Sequence, residues 1–213
     1  MAKLVGGPLG SYKGKAGGTI GSSWKGIAVV KAMPLSVANP NTVAQQAHRE
    51  MFAACIAAAR LLLSDLITIY WNPFAKKMSG FNAFVKQNID CFATGSLTVP
   101  ANFYAARGIL MGVKGLSVVA AAGVGTIQAD WTDNSGVGDA LATDLARLVV
   151  FNETKEYWKV FSPAKDREDA LFQVTDENIE EADVLDCYFF FIRPDISKIS
   201  DSAYKHVVVI AEE

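Results

Sequence analysis

The chain has 213 residues, 51 % of them apolar and 20 % charged, with a formal net charge of −2. That length can bury a sizeable core as one large domain or two small ones, and the composition excludes a disordered chain. The small net charge hides a division, since residues 1–114 hold 12 Lys and Arg against 3 Asp and Glu, whereas residues 115–213 hold 8 against 19.

The first element is a glycine-rich, lysine-bearing stretch from Gly6 to Gly26 that leads through Trp24-Lys25-Gly26 into Ile27-Ala28-Val29-Val30. Glycine permits positive φ and close backbone approach, and the β-branched run favours a strand, so a two-stranded ribbon is expected over about 15–31. A lone hairpin is marginal in water, so the ribbon needs a surface to lie on. Asn39-Pro40 then signals a turn, and Thr42-x-x-Gln45 matches a capping box. Apolar residues at helical spacing from Val43 to Tyr70 predict one long amphipathic helix, stopped by Trp71-Asn72-Pro73. A second helix is expected from Ser79 as N-cap, pairing with the first to cover the ribbon and ending at Thr94-Gly95-Ser96.

From about Arg107 the apolar period changes to two. Short runs at 108–113, 116–121, 126–131, 145–152, 157–162, 170–174, 185–193 and 205–211 are separated by turn clusters, the pattern of a β-sandwich. The expected fold is therefore α+β in two parts. Residues 1–104 form a basic module of β-ribbon with two packed helices, and residues 105–213 form an acidic antiparallel sandwich of immunoglobulin-like or fibronectin-like type.

Six motifs occur in order: Gly-Pro-Leu-Gly at 7–10, Gly-Lys-x-Gly-Gly at 14–18, Trp-Lys-Gly-Ile at 24–27, Asn-Pro-x-Thr-x-x-Gln-x-x-x-Arg-x-x-Phe at 39–52, Met-Ser-x-Phe-Asn-Ala-Phe-Val-Lys at 78–86 and Trp-x-Asp-Asn-Ser-Gly at 131–136. As a set they resemble a family of proteins of unknown function from Bacteroidota and their phages. The resemblance spans nearly the whole chain and implies a shared architecture. It brings no functional residue with it.

Chemical motifs are scarce. Gly14-Lys15 is followed by Ala16 and lacks the upstream glycine of a phosphate loop, and Gly123-x-Gly125 lacks the third glycine of a dinucleotide fingerprint. Cys55, Cys91 and Cys187 are widely spaced and read as buried thiols. His48 and His206 adjoin no nucleophile motif and no Cys/His cluster, so no catalytic residue, cofactor or metal is expected. Asp130, Asp133 and Asp139 offer hard oxygens for calcium but not at EF-hand spacing, and an Asx turn is the simpler reading. There is neither a signal-peptide core nor a long uninterrupted apolar window, so neither a Sec signal nor a membrane span is expected.

What remains is a contact surface. Tyr12, Lys13, Lys15, Trp24 and Lys25 combine basic and aromatic side chains on the ribbon, while Asn39, Gln45 and Arg49 mark the joint from which it leaves the helices. The expected function is that of a non-enzymatic structural subunit, a virion or tail component or an extracellular filament, whose arm contacts neighbouring copies or other virion proteins and whose sandwich faces outward. The alternative is nucleic-acid binding through the basic half, with lysines on phosphates and rings as stacking platforms.

Overall fold

A computed structural model describes residues 3–4, 11–36, 40–93, 95–121 and 125–209. Its backbone contacts part between Thr42 and Val43, giving two compact units.

The amino-terminal unit is an antiparallel sheet in the order β1 (Lys3–Leu4), β2 (Tyr12–Ala16), β3 (Thr19–Trp24), β4 (Ile27–Ala32). It is wider than the expected two-stranded ribbon because β2 pairs both with β3 and with β1, Lys3 opposite Lys13. The β3–β4 hairpin turns on Lys25 at φ 47° and Gly26 at φ 84°. Two successive positive φ values make the turn whose twist matches the flanking strands.

In the second unit, α1 (Val43–Leu61) starts directly after Thr42 as the capping motif predicts. It does not continue to Tyr70. At Leu62, whose φ −89° and ψ 4° leave the helical region, the chain bends by 91° and resumes as a π-helix over Leu63–Trp71. The Leu62 carbonyl accepts from both Leu66 N–H at 3.0 Å and Ile67 N–H at 2.9 Å, and Thr68 Oγ1 donates to Leu63 O at 2.7 Å. These bonds to the fourth and fifth residue back are what widen the helix. The bend lets Leu66, Ile67, Tyr70 and Trp71 all be buried. Among the described residues no single helix is long and apolar enough to cross a membrane.

After a 3₁₀ turn at Asn72–Phe74, α2 (Gly80–Asn88) begins as expected, with Ser79 Oγ accepting from Asn82 N–H at 3.3 Å. A small hairpin of β5 (Phe92–Ala93) and β6 (Ser96–Leu97) follows. The sandwich strands are β7 (Lys114–Ala120), β8 (Thr126–Thr132), β9 (Leu145–Asn152), β10 (Tyr157–Phe161), β11 (Leu171–Thr175), β12 (Val184–Ile192) and β13 (Ala203–Val208). The run at 108–113 is no strand and makes only an isolated bridge, Leu110 to Ser200.

One sheet has the order β10-β9-β12-β13 and the other β11-β8-β7, every pair antiparallel. The fourth strand, β10, lies beside the third rather than the fifth. This departs from the constant-type immunoglobulin sheet and is the fibronectin-like arrangement of the same Greek-key sandwich. Between the sheets pack Val118, Ile127, Trp131, Leu148, Val150, Phe172, Leu185, Phe189 and Phe191. Trp131 lies 5.0 Å from Phe189 and 5.7 Å from Phe191, ring centre to ring centre.

The other face of the four-stranded sheet is also buried. Val149, Tyr188, Phe190 and Ile192 share one core with Cys55, Ala59, Leu62, Leu66, Ile67, Tyr70, Trp71 and Phe84 of the helices. A boundary at 104/105 would cut through that core. The helices therefore belong with the sandwich, and the chain parts instead at 42/43. The three cysteines are buried and unpaired, as expected.

Candidate functional site

The amino-terminal sheet owes its geometry to glycine. A Cβ on Gly21 would lie 2.1 Å from the Tyr12 carbonyl oxygen and 2.7 Å from its ring, so only glycine lets β2 and β3 approach with the Tyr12 ring across them. The Tyr12 phenol hydrogen-bonds the Thr19 hydroxyl, which in turn donates to the Ala16 carbonyl at 2.9 Å.

Register sorts the side chains. Gly14, Gly21 and Val30 lie opposite one another on the Tyr12 face, while Lys15, Ile20 and Lys31 line up on the other, with Lys13 two residues before Lys15 on the same face. Lys13, Lys15 and Lys31 are exposed, and among the described residues no ion pair involves them. In β2 to β4 only Gly21 is buried among residues with a described side chain, and Ile27 and Val30 are 62 % and 57 % exposed. The sheet has no core of its own.

Of the contact residues expected from the sequence, Tyr12, Lys13, Lys15 and Lys25 thus share one small sheet, with Lys25 at its turn. Gln45 and Arg49 lie four residues apart on the exposed start of α1 in the other unit. Asn39 and the side chain of Trp24 lie outside the described residues.

The acidic turns are self-satisfied. Asp133 accepts from Ser135 N–H at 2.9 Å, the Asx turn expected, and Asp139 accepts from Met111 N–H at 3.1 Å and pairs with Lys198 at 2.9 Å. Arg167, fully buried, meets Asp144 at 3.2 Å, donates to Asn134 Oδ1 at 2.7 Å and lies 3.8 Å over the Phe191 ring. That network is structural, since its charges are paired within the protein.

Two features were not visible in the sequence. One is a groove of about 380 Å3 in the helical layer, lined by Trp71, Phe74, Lys76, Lys86 and Arg107 among others, with no carboxylate in its wall. The second is a cluster of Glu153, Asp186 and His206 on the helix-facing side of the four-stranded sheet. Asp186 sits directly opposite His206 across β12 and β13, its other neighbour is Phe151 of β9, and Glu153 follows directly after β9 with its N–H donating to the Val184 carbonyl at 2.8 Å. Asp186 is fully buried, and its Oδ1 accepts from the Tyr204 hydroxyl at 2.7 Å and lies 3.2 Å from His206 Nδ1. The neighbouring Asp186 carboxylate, together with burial, pushes the Glu153 carboxyl above its ordinary range. Only strand pairing brings these residues together, and no local motif announces them.

Among curated proteins no relative matches the chain. Of solved structures, the fn3 domain of human collagen alpha-1(XX) chain is similar at 12 % identity and TM-score 0.37, over 48 % of this chain and 88 % of that one. A redesigned β-sandwich protein is similar at 9 % and 0.36 over 49 % and 95 %, and an Fn3-like protein from Clostridium thermocellum at 11 % and 0.32 over 48 % and 96 %. At scores this low the sandwich assignment rests on its own strand order. Residues 11–206 match a family of unknown function, DUF6266. That match spans most of the chain, which therefore belongs to this family.

Proposed function

We propose that the protein is a non-enzymatic structural subunit that associates with copies of itself through its amino-terminal sheet, as a virion or tail component or an extracellular filament. The observation that supports this reading is a sheet without a core, joined to a body of opposite charge. A sheet exposed on both faces is unstable alone in water and gains its order against another surface. Residues 1–42 hold five lysines and no acid, which leaves residues 43–213 with 15 Lys and Arg against 22 Asp and Glu. A second copy therefore offers the complementary field. Strand β4, at the edge of the sheet, is the place for main-chain pairing with that neighbour.

Light scattering coupled to size exclusion, run on the full chain over a wide range of concentration and salt, tests the reading. Concentration-dependent oligomers are expected that weaken with salt and with the triple change Lys13→Glu, Lys15→Glu, Lys31→Glu. A monomer under every condition would overturn it.

Nucleic-acid binding is the second reading, favoured by the cation-lined groove of Trp71, Phe74, Lys76, Lys86 and Arg107. It predicts a gel shift at low salt that Lys76→Glu with Lys86→Glu abolishes.

A further inference from the structure

We propose that Glu153, Asp186 and His206 form a divalent-metal site of two carboxylates and one imidazole, with zinc the fitting ion. The strongest sign is the second carboxylate oxygen of Asp186. Oδ2 is buried and has no hydrogen-bond donor, and it is the one side-chain atom of that kind among the described residues. A buried polar atom without a partner is costly, and an ionised oxygen more so than a neutral one. While Glu153 is ionised its neighbours make the deficit sharper, because it is then a second carboxylate and an imidazole nitrogen offers a lone pair unless protonated. The candidate ligand atoms of the three residues all lie within 4.8 Å of one another. Three electron-pair donors so close together, one of them desolvated, make an arrangement that a cation completes.

The donor set also narrows the ion. One nitrogen and two carboxylate oxygens suit zinc and its first-row neighbours, whereas calcium takes six to eight oxygens and magnesium favours an octahedral oxygen shell. Tyr204 already fixes Asp186 by donating to Oδ1, which leaves Oδ2 for the ion, the outer-shell support that orients a ligating carboxylate. Glu153 and His206 are exposed, so an ion can enter from solvent and keep water as a further ligand. The pairing of β12 with β13 sets Asp186 beside His206, and Glu153 stands in the turn just after β9, so binding would tie that turn to the β12–β13 edge of the sandwich.

Isothermal titration calorimetry of the metal-free full chain with zinc chloride, alongside visible absorption with cobalt(II), reads the site directly. One ion per chain is expected, with the cobalt spectrum of a low-coordinate nitrogen and oxygen environment. Glu153→Gln and His206→Gln, both at exposed positions that spare the core, are each expected to weaken zinc by about tenfold or more. Tyr204→Phe should weaken it less. Absence of zinc and cobalt binding by the wild-type chain would overturn the proposal, and so would stoichiometric binding that neither Glu153→Gln nor His206→Gln changes. If Glu153 and Asp186 merely share a proton, no ion binds and the first of these results is obtained.

Discussion

Arg167 shows how a single buried charge is made tolerable in this protein. It is fully buried, yet its donors reach Asp144, Asn134 and the Met111 carbonyl, and Asp144 is also fully buried. Replacing it by Ala leaves the Asp144 carboxylate with the Leu141 N–H at 2.9 Å and, as its cation, the longer 3.5 Å contact to Arg193, so Arg167→Ala is expected to lose about 3–5 kcal/mol in urea unfolding. Asp183 gives a prediction in pH. Burial pushes its carboxyl up, but the Glu180 N–H, the Asn152 amide and Lys155 outweigh it and hold the group below the ordinary carboxylate range. The folded state thus favours the ionised form. Its contribution is present above the ordinary carboxylate range and is lost as pH falls through the depressed folded value. The stability difference between wild type and Asp183→Asn should accordingly be largest near neutrality and shrink in acid. Little of this was legible in the sequence. Nothing in the sequence singles out Arg167, and His206 falls within the last strand run, because burial and cross-strand partners depend on register that no local pattern states.

At the scale of elements, local signals were read well where they are local. Ser79 caps α2 where the sequence places it, and most sandwich strands lie within a few residues of the expected runs. The helix from Val43 was not read well. No proline or glycine marks Leu62, and the apolar period runs on to Tyr70, so only packing against the sheet reveals the bend. Gly21 is the element-level test. A larger side chain there meets the Tyr12 carbonyl, part of the backbone and unable to swing away, so Gly21→Val should break the β2–β3 pairing. The expected outcome is loss of self-association with an unchanged thermal transition of the body, read by light scattering and circular dichroism on one sample.

The whole molecule is divided by its cores rather than by its charge. The acidic and basic halves of the sequence suggest a boundary at 104/105, but Phe190 and Tyr188 of β12 pack on Tyr70 and Phe103, across that line. Phe190→Ala should cost about 3–5 kcal/mol and lower the midpoint of a single transition followed by both near- and far-ultraviolet dichroism. Two separate transitions would mean that helices and sandwich fold apart. One trace of the shared core was in the sequence. The run Val184-Leu185-Asp186-Cys187-Tyr188-Phe189-Phe190-Phe191-Ile192 lacks the alternation of a half-exposed strand, and such a run marks burial on both faces. By itself the sequence determined the strand-rich second half, the helix starts, the glycine hairpin and the lysine-rich arm, since each follows from the preferences of neighbouring residues. Tertiary structure alone decided the bend at Leu62, the joining of helices to the sandwich and the meeting of Glu153, Asp186 and His206. Those depend on which distant strands pair and in what register, and that is set by burying both faces of one sheet at once.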